Sequence, residues 1–207
     1  MADLSHCHLY GILDLGYVAR DELGAMTLQL VQGGIDILQL RAKGHDKALI
    51  QQIGTEVLPI AKDGGVPFII NDFPDIAAEI GADGVHVGQD DAAVTAARAV
   101  VGDQAIVGKS THSLAQAIAT KSDEVDYIGF GPLHATPTKP EYTPIGATEI
   151  EAVHEQVAVP VFCIGGIKSH NLPDIVAQGA QRAVIVSGIL QADDIAGYIA
   201  HCKALLT

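Results

Sequence analysis

Short apolar runs alternate with longer stretches of helical spacing along the whole chain, and the alternation repeats eight times. The runs are HLYGIL (from His8), DILQLR (from Asp36), VPFIIN (from Val66) and GVHVGQ (from Gly84), followed by AIVGKS (from Ala105), YIGFGP (from Tyr127), VPVFCIGG (from Val159) and AVIVSG (from Ala183). Each is short, aliphatic and bounded by turn residues, the pattern of a strand buried on both faces. Between them, Ala- and Leu-rich stretches such as ELGAMTLQLVQGG and AAVTAARAVVG read as helices. Gly33-Gly34, Gly64-Gly65, Gly81 and Gly102 fall where helices are expected to stop. Eight such units, with strand starts roughly 25 residues apart, predict one (β/α)8 barrel spanning residues 1–207. A doubly wound open sheet is the alternative, and it normally uses fewer strands.

Composition supports that architecture. Hydrophobic residues make up 48% of the 207, while aromatic residues are only 4%, a mix suited to helices packed closely on a parallel sheet. The formal charge of −13 argues against nucleic acid or an anionic membrane as partner, because polyanions are repelled. Cys7, Cys163 and Cys202 have no metal-ligand spacing, and Cys163 lies in an apolar run as a small buried hydrophobe. The first residues lack the charged and apolar regions of a signal peptide, and no run of 18 apolar residues occurs, so a soluble cytoplasmic protein is expected. The pattern is compatible with a homo-oligomer and does not specify one.

The polar residues change the picture, because they gather at strand ends. In a barrel of this type chemistry sits at the C-terminal ends of the strands. Strand two ends in Gln39, Arg41 and Lys43, strand three in Asn71-Asp72, strand four in GQDD, and strand five in GKSTHS with Ser110 and His112. Strands seven and eight end in Gly165-Gly166 and Val186-Ser187-Gly188, whereas strand starts carry ordinary residues. After strand six comes GPLHATPTKPEYTPIG, Gly131 to Gly146, holding four of the nine prolines, three threonines and a single lysine, Lys139. Proline denies this stretch helix and central strand alike.

Arg41, Lys43 and Lys139 are expected to converge on an anion, with arginine able to grip two oxygens. Asp72 and Asp91, with Asp90 competing for the second role, are oxygen ligands on neighbouring strands. Magnesium typically takes one or two carboxylates plus substrate phosphate oxygens. Gly165-Gly166 and the start of the final helix offer backbone N–H groups for a second phosphate. Two phosphorylated small-molecule substrates, one a pyrophosphate, use every part. His86 reads as a core histidine; His112 reads as a base, a ligand contact or a helix-start residue; His134 lies in the phosphate loop.

Taken in order, QLRAK, IIND, ADGVHVGQDD, GKSTHS, GPLHATPTK, IGGI and AVIVSGI resemble the thiamine-phosphate synthase family over nearly the whole chain. The resemblance implies a single barrel that couples 4-amino-2-methyl-5-hydroxymethylpyrimidine diphosphate to a thiazole phosphate, giving thiamine phosphate and pyrophosphate. It implies that Gln39, Leu40, Arg41, Ala42 and Lys43, with Asn71, Ser110 and Lys139, hold the pyrimidine diphosphate. Of these, Arg41, Lys43, Ser110 and Lys139 would be catalytic. Asp72 and Asp91 would bind one Mg2+, and Thr136, Pro137, Thr138, Gly166, Val186 and Ser187 would receive the thiazole phosphate. The sequence departs from the family pattern at Ala42, Phe73-Pro74, Lys109 and His134. The rival readings are a thiazole tautomerase of the TenI-like branch, with His112 as acid/base, and a non-catalytic thiamine-phosphate binding barrel.

Overall fold

The computed structural model describes residues 4–89, 91–138 and 142–207. Eight parallel strands appear in chain order: β1 (Leu9–Asp14), β2 (Ile37–Arg41), β3 (Phe68–Asn71), β4 (Gly84–Val87), β5 (Ile106–Thr111), β6 (Tyr127–Phe130), β7 (Val161–Cys163) and β8 (Ala183–Ile185). Each pairs with its successor, and β8 pairs back onto β1, so the sheet closes into a barrel. The helices are α1 (Leu23–Gln32), α2 (Lys47–Asp63), α3 (Pro74–Ile80), α4 (Val94–Val101), α5 (Leu114–Ala119), α6 (Ile150–Gln156), α7 (Leu172–Val176), α8 (Ser187–Leu190) and α9 (Ile195–Leu206). None is long and apolar enough among the described residues to cross a membrane.

Strand alternation divides the apolar residues into two cores. Leu38 and Leu40 of β2, Phe68 and Ile70 of β3, and Ile128 and Phe130 of β6 turn outward and pack under the helices. Their neighbours Ile37, Ile69 and Tyr127 turn inward and, with Tyr10, Ile12, Ile106, Phe162 and Val184, fill the barrel. Successive side chains on a strand face opposite ways, so a fully buried strand supplies both layers at once. The three cysteines are buried. Burial pushes the Cys163 thiol up to about 12 and the Cys202 thiol to about 11, which keeps both protonated.

Strand starts are not ordinary, and here the sequence expectation is corrected. Asp36, Asp83 and Asp126 stand immediately before β2, β4 and β6, and each reaches back to the preceding strand. Asp36 accepts from the His8 and Leu9 amides at 2.9 Å, Asp83 from Phe68 at 2.8 Å, and Asp126 from Val107 at 2.7 Å. These bonds satisfy the first donors of β1 and β3 and the second of β5, whose first amide, on Ile106, donates to the Asp83 carbonyl at 2.8 Å. A second correction concerns the last units. Ser187 opens the four-residue α8 rather than ending a strand, and the final helix α9 starts only at Ile195, capped by Asp194, whose carboxylate accepts from the Gly197 amide at 2.9 Å.

Candidate active site

The inward residues change character along the barrel axis. At the C-terminal end, Gln39 and Arg41 of β2, Asn71 of β3, His86 of β4 and Ser110 of β5 follow the apolar interior residues. They line one cavity of about 220 Å³. Thr136, Pro137, Thr138, Gly166, Val186 and Ser187 form the opposite wall of the same cavity. Residues named from five strand ends and two loops therefore meet in one place.

Within QLRAK, alternation sorts the residues. Gln39 and Arg41 face the cavity, whereas Leu40 (1% exposed) and Ala42 (5%) are turned into the outer core, so their side chains cannot touch a ligand in the cavity. Lys43 is exposed in the loop leading to α2 and is not part of the cavity wall. Lys139 and Asp90 lie outside the described residues. The expected convergence of three cations is thus represented in the cavity wall by Arg41, which is itself paired: its Nη1 donates to Asp14 Oδ2 at 2.6 Å. Asp14, at the end of β1, is 2% exposed, and its other oxygen accepts from the Gly16 amide at 2.8 Å. The carboxylate fixes one edge of the guanidinium. Four of its five N–H donors are left by that bond.

The sequence offered a second cation that went unread. Lys168, just after Gly165-Gly166, lines the cavity on its β7–β8 side. It makes no ion pair with any described residue, and its backbone N–H donates to Asn171 Oδ1 at 2.7 Å. Asn171 in turn donates to the Gly166 carbonyl at 3.0 Å, fixing the glycine turn. Both glycines have positive φ, +100° and +64°. A Cβ on Gly165 would lie 2.4 Å from Pro132 Cα, and one on Gly166 would lie 2.7 Å from the Ala135 carbonyl oxygen. Glycine is required because the Gly131–Gly146 loop lies directly on this turn. That loop is irregular where described, and Thr138 is tied across the barrel mouth to the Tyr17 hydroxyl at 2.9 Å.

Asp72 follows β3 in the left-handed region, φ 67°, and its amide donates to the His86 carbonyl at 2.8 Å. A non-glycine residue held there is uncommon, and such residues cluster at functional sites. Asp91 follows β4, and its Oδ2 accepts from the Gly88 amide at 2.7 Å. A Cβ on Gly88 would come within 2.6 Å of that oxygen, so glycine makes the cradle possible. Neither carboxylate lines the cavity itself; each follows one of two adjacent strands, β3 and β4, at their C-terminal ends. No group of three or more His, Cys, Asp or Glu side chains gathers around a metal position among the described residues. Two carboxylates are hard oxygen donors, the type of ligand that Mg2+ would take alongside substrate oxygens and water.

His86 is packed and hydrogen-bonded as expected of a core histidine, and it also faces the cavity. Its ring is half-buried in the cavity wall, with Nδ1 2.9 Å from the Tyr127 hydroxyl and Nε2 2.9 Å from Ser110 Oγ. The Tyr127 hydroxyl lies 2.9 Å from that of Tyr10, which accepts from Gln39 Nε2 at 2.8 Å. Gly108 makes room for the Tyr127 ring, since a Cβ there would fall 2.1 Å from its Cζ. Burial holds both phenols well above the ordinary 10.0, so they stay neutral. His112 also lines the cavity. Its Nδ1 lies 2.5 Å from the Gly131 carbonyl, and its ring packs on Tyr142 with centroids 4.6 Å apart. A carbonyl can only accept, so Nδ1 carries a proton. His134 packs on the Gly166 turn instead, a Cβ at Gly166 falling 2.7 Å from its own.

Residues 9–189 match the family model described as thiamine monophosphate synthase. The thiamine-phosphate synthase of Pelotomaculum thermopropionicum is 35% identical, covering 100% of this chain and 95% of that protein. That of Chloroflexus aurantiacus is 34% identical, covering 100% and 96%. Among solved structures, thiamine phosphate pyrophosphorylase from Pyrococcus furiosus superposes with a TM-score of 0.86 at 24% identity, over 96% of this chain and 95% of that one. A 3-hexulose-6-phosphate synthase shares the barrel with a TM-score of 0.69 at 19% identity, over 97% and 100%. With a family match over most of its length and relatives aligned from end to end, the chain belongs to the thiamine monophosphate synthase family.

Proposed function

We propose that this barrel joins 4-amino-2-methyl-5-hydroxymethylpyrimidine diphosphate to a thiazole phosphate, releasing pyrophosphate, and that it does so in the cytoplasm. The observation that carries the reading is the division of one cavity into two ends in a chain of this family. The β2–β5 side supplies Gln39, Arg41, Asn71 and Ser110, with two carboxylates following β3 and β4. The β6–β8 side supplies hydroxyls, glycine amides and Lys168.

The diphosphate lies at the first end. Arg41, oriented by Asp14, directs its remaining N–H groups toward the diphosphate oxygens, and Ser110 and Asn71 add neutral donors. Asp72 and Asp91 would hold Mg2+, which would supply positive charge beside the departing diphosphate. Lys43 and Lys139 are assigned to the same group. The carbon–oxygen bond breaks with its electron pair leaving on pyrophosphate, and the electron-rich aminopyrimidine bears the resulting positive charge. The thiazole nitrogen then attacks that carbon. Its phosphate is anchored by Thr136, Thr138, the Gly166 amide and Ser187, with Pro137 and Val186 shaping the wall and Lys168 supplying the counter-charge. The donors at the diphosphate end stabilise charge that grows as the bond breaks, so no protein nucleophile is required.

The test is pyrophosphate release from the two substrates with titrated Mg2+. Stoichiometric pyrophosphate and thiamine phosphate are expected. Asp72→Asn and Asp91→Asn should each shift the Mg2+ midpoint upward, and Lys139→Ala should lower kcat by roughly two orders of magnitude. Isomerisation of a thiazole phosphate without pyrophosphate release would establish the tautomerase instead. Tight product binding without turnover would establish a binding protein.

A further inference from the structure

The hydrogen bonds from Gln39 to Ser110 form one unbroken line through the barrel interior: Gln39 Nε2 to Tyr10 at 2.8 Å, Tyr10 to Tyr127, Tyr127 to His86 Nδ1, and His86 Nε2 to Ser110, the last three each 2.9 Å. Its direction matters, because a histidine beside a serine can be either a base or a donor. With Nε2 unprotonated, His86 would take the Ser110 proton and make a nucleophile. With Nε2 protonated, it donates to Ser110 Oγ, and the serine keeps its own proton to give away.

The buried end decides between them. Gln39 Nε2 can only donate, so the Tyr10 hydroxyl accepts there and its own proton needs an acceptor. Tyr10 is 1% exposed, and its other hydroxyl contact is Tyr127, so Tyr10 donates to Tyr127. The Tyr127 proton then points to His86 Nδ1, which must be a lone pair. A neutral imidazole with a lone pair at Nδ1 carries its proton at Nε2. In the reverse order, the Tyr10 hydroxyl would receive two donors and its proton would be stranded in the apolar interior among Ile12, Ile37 and Phe162.

We propose that Gln39, Tyr10, Tyr127 and His86 act as a positioning relay that fixes the Nε2–H tautomer of His86, so that the Ser110 hydroxyl serves as a proton-bearing hydrogen-bond donor to the departing diphosphate. No proton is transferred: the relay orients a hydroxyl, and it denies Ser110 the role of nucleophile. The Ser110 carbonyl accepts from Gln89 Nε2 at 2.5 Å, which steadies the same residue from its backbone side. Deletion of any interior link leaves the hydroxyl free to turn toward the imidazole. The functional part of the proposal rests on the reaction assigned above; the tautomer does not.

Long-range nitrogen–proton correlation NMR on protein labelled with 15N-histidine reads the tautomer directly, at a pH above the ordinary imidazole range. His86→Gln identifies the signal by its loss. A protonated Nε2 and an unprotonated Nδ1 are expected, and the opposite assignment would overturn the relay. The link to catalysis is read by a double-mutant cycle on kcat. Tyr127→Phe should lower kcat roughly tenfold, about the worth of one hydrogen bond to a charged group, yet have no further effect once Ser110 is alanine. Full additivity of the two losses would show that Tyr127 acts only on packing, and the positioning role would fall. Absence of pyrophosphate release by the unmutated protein would count against the reaction and leave the tautomer result standing.

Discussion

Arg41 shows how much a single residue owes to a neighbour that composition does not reveal. Its charge is matched by Asp14 at 2.6 Å, so what it offers a ligand is geometry more than net charge. The planar guanidinium can serve Asp14 on one edge and phosphate oxygens on another, which an ammonium cannot do with the same fixed angles. Arg41→Lys is therefore expected to leave the thermal midpoint close to that of the unmutated protein while reducing kcat/KM for the pyrimidine diphosphate by at least about tenfold. Undiminished kcat/KM would mean that a point charge suffices. At this scale the sequence was legible where strand alternation applies: Gln39 and Arg41, two residues apart, face inward as Leu40 faces out. Tyr10 and Tyr127 were hidden because each sits in an apolar run, and nothing local shows that their hydroxyls meet 117 positions apart. Asp14 was visible as a carboxylate at the end of strand one, but its partner on the next strand is a tertiary fact.

Among the elements, the recurring aspartate before β2, β4 and β6 explains part of the acidic composition as structure. Asp126 forms the more deeply buried ion pair of the two that these aspartates make. Its Oδ2 accepts from the Val107 amide and from Arg98 Nη2, both at 2.7 Å, and the pair is about nine-tenths buried. Arg98 Nη2 also donates to the Glu124 carbonyl at 2.8 Å, and its Nη1 to the Ala105 carbonyl, so α4 is bolted to the entrances of β5 and β6. Removing one member of a buried pair leaves the other uncompensated, typically a loss of about 3–5 kcal/mol. Asp126→Ala should show that loss in denaturant unfolding, with kcat per folded molecule preserved because the residue stands at the opposite end of the barrel from the cavity. A change in kcat with unaltered stability would place Asp126 in the machinery instead. The eight units could be read from periodicity because the pattern repeats, and the glycine stops held: Gly34, Gly65, Gly81 and Gly102 all have positive φ. The short α8 could not be read, since AVIVSGIL looks like continuous strand and its break follows from the turn at Val186, ψ −91°.

For the whole molecule, the formal charge of −13 and the anionic substrates set up two opposing effects that act over different distances. The cations assigned to the site, Arg41, Lys43, Lys139 and Lys168, attract a phosphate once it is at the barrel mouth. The remaining surface repels it on approach. At about 0.01 M ionic strength the Debye length is roughly 30 Å, so an arriving substrate senses the net charge of the entire protein and is slowed. Near 0.1 M it shrinks to about 10 Å, leaving the mouth as the field that matters. Above that, screening weakens the mouth as well. The expected outcome is a kcat/KM that rises with added KCl, passes through a maximum near about 0.1 M and then declines, measured at constant free Mg2+. Substituting exposed carboxylates on the outer helices with their amides should flatten the rising limb and spare the falling one. A kcat/KM that only falls with salt would show that the site cations govern approach at every distance, and that the surplus of acid elsewhere has no bearing on catalysis.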